Sequence, residues 1–311
     1  MPPLDSRVKR FLDTLAAGNA QSGPETSVAE RRAALAELLK LSGAEIAATV
    51  EERTIPAAHA ALGVRIVTPA GAADALLPGL IYFHGGGLVA GSVATHEWIA
   101  RALAQAGRCR IVSVDYRLAP EQRFPAAIDD ALAAARHIGA HALDFGIDES
   151  RLGVCGDSAG GTLAAAVCHG IAQHGGPRLA LQVLICPILD HSRGSESRRL
   201  YAAGYLLDRA TLQHDLLHYL PPGTDLADPR VSPLCAAQLR GVPPTIVHTA
   251  EFDPLRDEGR RYFERLTHVG AAVSYTCHPG MIHLFYGLGA VIPYARTAFD
   301  RIGTDIRAIW R

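Results

Sequence analysis

Apolar residues first recur at helical spacing. Val8, Phe11, Leu12 and Leu15 fall at i, i+3, i+4 and i+7, one face of an amphipathic helix. Ser27-Val28-Ala29-Glu30 has the form of a capping box and opens a second helix, with Ala34, Leu35, Leu38 and Leu39 along one side. The first 45 residues therefore read as helical, and neither apolar face has a local partner. From Glu51 the pattern changes. Short apolar runs at residues 53–55, 64–67, 80–83, 110–114, 151–155, 180–186, 245–249 and 273–277 read as strands, with residues 71–74 a turn. Helical stretches separate the later runs, at about residues 97–106, from Pro125 to about residue 138, and over the Ala-rich residues 162–169. Strands alternating with helices imply crossovers and a mainly parallel sheet. The first two strands stand too close together for a crossover, so they are expected to add antiparallel at one edge.

This rhythm breaks between Asp190 and Pro222. Residues 192–199 are polar and read as a mobile stretch, whereas Asp208 is placed to cap a helix over about residues 210–219. An insertion after a strand, at the carboxyl end of a parallel sheet, lies where substrates bind.

Composition narrows the function classes. At 311 residues, 49% of them hydrophobic, the chain is long enough to bury a sizeable core. A net charge of −1 gives no electrostatic footprint for nucleic acid or for an anionic membrane surface. No run of 18 apolar residues is present, so no membrane span is expected. The first five residues lack a basic segment leading into an apolar one, and a cytoplasmic location is the expectation. The six cysteines form no C-x-x-C pair; four lie in apolar segments and read as small buried hydrophobes. The 14 histidines show no H-E-x-x-H or His/Cys cluster at ligand spacing, so no metal is expected, and the serine chemistry read below needs no organic cofactor.

Two motifs carry chemistry. Gly156-Asp157-Ser158-Ala159-Gly160 follows an apolar strand and precedes an Ala-rich helix, the context of a nucleophile elbow. Such a turn forces the serine into an unfavourable backbone region, so its neighbours must lack bulk. Upstream, the strand Leu80-Ile81-Tyr82-Phe83 opens into His84-Gly85-Gly86-Gly87, a loop that can aim backbone N–H groups at a developing negative charge. A phosphate cradle is disfavoured, because no Gly-Lys-Ser/Thr and no G-x-G-x-x-G spacing is present. A serine hydroxyl needs a base to take its proton, and the base needs an orienting anion. Asp253, just past a strand, is a candidate for the anion, with Asp257 and Glu251 as rivals. For the base, His278 and His283 both lie after the last strand.

With Tyr116-Arg117-Leu118-Ala119-Pro120-Glu121 and Asp253-Pro254-Leu255-Arg256-Asp257, these motifs resemble, in order, those of the hormone-sensitive-lipase-like esterases. These are the bacterial family IV carboxylesterases of the α/β-hydrolase fold. The resemblance runs from about residue 50 to the C-terminus and more loosely over the first 50. It implies an α/β fold with a mostly parallel eight-stranded sheet flanked by helices and covered by a helical cap. The cap would take residues 1–50 and 191–222, and the core residues 51–190 and 223–311. It also selects Asp253 as the acid and His283 as the base, since the family's base follows a Pro-Gly turn by about three residues. The family usually has Gly after this histidine, whereas Leu284 stands here. Ser158 is then the nucleophile, with Gly86, Gly87 and Ala159 as oxyanion donors. Asp157, His84 and the polar residues of the stretch 116–121 are expected to brace loops.

The function expected is a serine carboxylesterase acting on short- to medium-chain acyl esters through an acyl-enzyme. An amidase or peptidase with the same triad, and a non-catalytic small-ligand receptor on the same fold, are the alternatives. Val273, Tyr275 and Cys277 alternate with smaller polar residues, compatible with an exposed edge, and the family's habit implies a homodimer through this last strand.

Overall fold

The computed structural model describes residues 3–18, 26–57, 61–72 and 76–310. Eight strands form one sheet: β1 (Ala48–Ile55), β2 (Leu62–Pro69), β3 (Leu77–Phe83), β4 (Arg110–Val114), β5 (Ile147–Asp157), β6 (Leu181–Ile185), β7 (Thr245–Phe252) and β8 (Val273–Ile282). Their order across the sheet is β1-β2-β4-β3-β5-β6-β7-β8. The β1–β2 and β2–β4 pairs are antiparallel and every other pair is parallel. The two early strands thus sit antiparallel at one edge, and β8 forms the other.

Side-chain alternation along the central strands divides the core between the two faces of the sheet. On β3, Ile81 and Phe83 pack with α4 (Ala126–Ala140) and α5 (Ala159–His174). Leu80 and Tyr82, on the opposite face, join α3 (Glu97–Gly107) and α9 (Tyr294–Ile309). The remaining helices are α1 (Ser6–Ala17), α2 (Val28–Leu39), α6 (Glu196–Leu200), α7 (Arg209–Tyr219) and α8 (Arg256–His268).

The apolar faces of the first two helices find partners far along the chain. Val8 and Phe11 of α1 and Leu35 and Leu39 of α2 are buried in the same cluster as Met281, Leu284 and Phe285. Side chains fix where these helices begin. Asp5 accepts from the backbone N–H groups of Arg7 and Val8, and Ser27 and Glu30 form a reciprocal capping box. Asp208 caps α7 through the N–H of Thr211.

Two stretches differ from the sequence reading, and a third is only partly described. Residues 192–199, read as mobile because they are polar, contain α6. Its Ser197 is fully buried, taking the Asp257 N–H and giving its own hydroxyl to the Pro254 carbonyl. Most of the stretch does face water, but Ser197 anchors it to the core. The last strand does not end before Pro279-Gly280 but runs through them to Ile282, with an irregularity opposite Ala250 and Phe252. Finally, Ala73 and Asp74 of the turn expected at residues 71–74 lie outside the described residues. Among the described residues, no helix is long and apolar enough to cross a membrane.

Candidate active site

β5 runs directly into α5, and the single residue between them is Ser158. Its backbone has φ 52° and ψ −119°, a region that L residues avoid. The turn is held from below: Ser158 donates its N–H to Ile185 O at 2.9 Å, and its own carbonyl accepts from Gly161 and Ile188. Gly160 is obligatory here, because a Cβ at that position would overlap the carbonyl of Phe83.

The structure brings Ser158, Asp253 and His283 together. His283 Nε2 is 3.0 Å from Ser158 Oγ, and Nδ1 is 2.8 Å from Asp253 Oδ2. Asp253 follows the end of β7, fully buried, and its other oxygen accepts from the Leu255 N–H at 2.8 Å. The imidazole therefore donates through Nδ1 to a fixed carboxylate, which leaves Nε2 free to take the serine proton.

The rival residues do other work. His278 bonds His248 at 3.0 Å and packs against Phe285 and Tyr294. Glu251 accepts the Gly280 N–H at 2.8 Å, so it fixes the chain three residues before His283. Asp257 accepts from Ser197 and pairs with Arg256. Leu284 adopts φ 62°, the left-handed conformation that favours glycine, and its side chain lines the cavity beside His283.

Above the serine, the backbone N–H groups of Gly86, Gly87 and Ala159 have no acceptor among the described residues. The glycine loop is tied to the elbow by Asp157, whose Oδ1 accepts from the Gly85 N–H at 3.0 Å and from the Tyr82 hydroxyl at 2.5 Å. Tyr286, three residues beyond His283, donates to the other oxygen at 3.1 Å. Burial raises the Asp157 carboxyl, and these donors oppose the shift.

His84 donates from Nδ1 to the Gly85 carbonyl and stacks on Tyr116, whose hydroxyl donates to the His84 carbonyl at 2.7 Å. In the stretch 116–121, Arg117 pairs with the buried Asp130, and Glu121 pairs with Arg32 of α2. Burial, reinforced by the neighbouring His96, pushes His84 down to about 3, and burial pushes His96 down to about 4.

One placement had no signal in the sequence. The Cys186 thiol, an Asp253 oxygen and a His283 nitrogen lie within 4.8 Å of one another, the one potential metal-ligand trio among the described residues. Both ring nitrogens of His283 are already engaged, and burial pushes the Cys186 thiol up, which keeps it neutral. A positive φ of 45° at Cys186 brings it there, which residue type alone does not reveal.

The site opens into a cavity of about 340 Å³. Leu15 of α1, Leu35 and Leu38 of α2, and Leu212 and Leu216 of α7 form much of its wall, and Ser158 and His283 stand in its floor. The first two helices, whose apolar faces had no local partner, and the insertion meet over the serine.

Comparison with known proteins followed the same lines. A family model described as the alpha/beta hydrolase fold matches residues 80–287. Carboxylesterase NlhH of Mycobacterium tuberculosis is 37% identical over 306 residues, covering 96% of this chain and 94% of its own. An arylesterase of Saccharolobus solfataricus is 34% identical over 287 residues, covering 92% and 93% respectively. Among solved structures, an ester hydrolase from the metagenome of Lake Arreo superposes with a TM-score of 0.94 at 40% identity, over 99% of both chains. A thermostable esterase of Pseudomonas putida gives a TM-score of 0.94 at 33% identity, over 100% of this chain and 99% of its own.

The buried histidines set an acid limit on the glycine loop. His84 and His96 bind protons near pH 6.5 when unfolded but only near 3 and 4 when folded. Their contribution is therefore complete above about pH 6.5 and is lost as pH falls toward 4, at about 1.4 kcal/mol per pH unit for each. Asp157, raised by burial, opposes part of this loss. His169, His191 and His278 are pushed down in the same way, to about 4, 3 and 3, so urea unfolding is expected to show wild-type stability falling from pH 7 to pH 5, and falling by about 1–2 kcal/mol less in His96→Gln. Equal stability at both pH values would contradict the assignment.

Proposed function

The chain belongs to the hormone-sensitive-lipase-like carboxylesterases of the α/β-hydrolase fold, and from that premise we propose how its site hydrolyses esters. The protein is a carboxylic ester hydrolase. The observation that carries the mechanism is the unbroken chain from Ser158 Oγ through both nitrogens of His283 to Asp253, at 3.0 and 2.8 Å.

Ser158 Oγ attacks the ester carbonyl while His283 Nε2 takes its proton. Asp253 holds the resulting imidazolium, and its own burial keeps water from competing for the bond. The carbonyl oxygen becomes an oxyanion held by the free N–H groups of Gly86, Gly87 and Ala159. Collapse of the tetrahedral intermediate breaks the bond to the alcohol oxygen, which leaves with the proton from His283. Water then attacks the acyl-serine, again giving its proton to His283, and the acid departs as Ser158 recovers its hydrogen. These steps require neither a metal nor an organic cofactor.

We read residues 1–50 and 191–222 as a cap on a hydrolase core made of residues 51–190 and 223–311. The leucine-rich cavity between them supports short- to medium-chain acyl esters as substrates. Leu284, held at positive φ beside His283, adds to the apolar lining. The unpaired edge of β8 supports a homodimer joined through that strand.

Hydrolysis of p-nitrophenyl esters from acetate to laurate is expected to peak at short or medium chains and to fall by at least about 10⁴-fold in Ser158→Ala. Equal rates in the two proteins would remove Ser158 from the mechanism. Sedimentation equilibrium at micromolar concentration is expected to give twice the 33.0 kDa chain mass; a monomer would dispose of the β8 interface.

A further inference from the structure

The cavity is apolar apart from a few groups, and one pair among these is charged on both sides. Arg31 of α2 and Asp215 of α7 both line it. Arg31 Nε lies 3.2 Å from Asp215 Oδ1 and Nη2 lies 3.0 Å from Oδ2, a two-point contact with side-chain exposures of 12% and 8%. The two residues come from segments 184 positions apart and join the first helices to the insertion across the active site.

Asp215 also presses on the glycine loop. Gly87 has φ 69°, and a Cβ there would overlap Asp215 Oδ2. A carboxylate oxygen therefore rests against the residue whose N–H is read as an oxyanion donor. An anion in that place opposes the negative charge that the reaction must build, unless something neutralises it. Arg31 is the cation placed to do so, since the neighbouring His214 meets Asp215 at 3.1 Å through a single ring nitrogen.

The position of Arg31 is itself fixed by the loop it serves. The adjacent Arg32 donates to the Val89 carbonyl at 2.8 Å and to the Ala119 carbonyl at 3.1 Å, and it pairs with Glu121. Leu35, one turn on, would meet a Cβ at Gly86 at 3.1 Å. Helix α2 thus clamps the glycine loop through Arg32 and Leu35 and holds Arg31 over Asp215.

We propose that Arg31 is a positioning residue for ester hydrolysis: by pairing with Asp215 against Gly87, it keeps an uncompensated carboxylate away from the oxyanion. This rests on the reading of Gly87 as an oxyanion donor and of Ser158 as nucleophile. At an effective dielectric near 20, a unit charge about 6–10 Å from the oxyanion changes an equilibrium by roughly 10- to 100-fold. The effect should appear in kcat, because the oxyanion exists only during reaction.

The test is a double-mutant cycle on kcat and KM for p-nitrophenyl butyrate, with thermal unfolding of each variant. Arg31→Met is expected to lower kcat by about 10- to 100-fold with KM changed by less than about threefold. Neutralising the carboxylate as well, in Arg31→Met with Asp215→Asn, should recover about tenfold or more over Arg31→Met. Arg31→Lys, which keeps the charge, should stay about tenfold or more above Arg31→Met, as should Asp215→Asn alone. A wild-type kcat in Arg31→Met, or a double variant as slow as Arg31→Met, would overturn the proposal. Should Arg31→Met fail to fold, Asp215→Asn decides, because a tenfold fall in its kcat overturns the proposal equally. Ser158→Ala separates the levels: turnover surviving in that variant removes the mechanism itself, whereas its loss beside an unaffected Arg31→Met removes only the role of Arg31.

Discussion

The carboxylate of Asp157 has no contact with solvent, and three separate stretches of chain donate to it. Tyr82 belongs to the end of β3, Gly85 to the glycine loop and Tyr286 to the segment after His283. Asp157 itself precedes Ser158. One buried anion therefore gathers the loop proposed to hold the oxyanion, the elbow and the neighbourhood of the base. Burying a carboxylate without partners costs several kcal/mol, so these donors are conditions of folding as much as of catalysis. The elbow, the glycine loop and the segment after His283 are thus tied together through one carboxylate.

The sheet brings the same elements to one place. Parallel strands β3, β5, β6 and β7 end at the same edge, which brings the glycine loop, Ser158 and Asp253 to one level. Strain is concentrated where function requires it. Ser158, Cys186 and Leu284 all have positive φ, and each lies at or beside the triad. Their conformations persist because the elements on either side are buried and leave no alternative path.

Much of this was legible in the sequence because it depends on local chemistry. Short apolar runs marked strands such as 80–83 and 110–114, and the capping residues Ser27 and Asp208 marked where α2 and α7 begin. The elbow was legible because a serine in that backbone requires small neighbours. Other features depend on contacts between distant residues, which spacing does not encode. His278 and His283 were both candidates for the base: position relative to the Pro279-Gly280 turn and the family resemblance favoured His283, and the hydrogen bonds of the fold separate their roles. The stretch 192–199 looked mobile because polarity was taken as exposure, whereas its Ser197 bonds the core. Arg31 and Asp215 gave no signal, being two ordinary charges on two helices until the fold set them against Gly87.

The account stands most directly on an acyl-enzyme at Ser158. Rapid mixing with excess p-nitrophenyl acetate, followed by acid quench and peptide mapping, tests it in one experiment. A burst of nitrophenol equal to the enzyme concentration, with the acetyl mass on the peptide containing Ser158, is the result expected. An acetyl group on another residue such as Cys186, or steady turnover with no acylated Ser158 in any quenched sample, would contradict it.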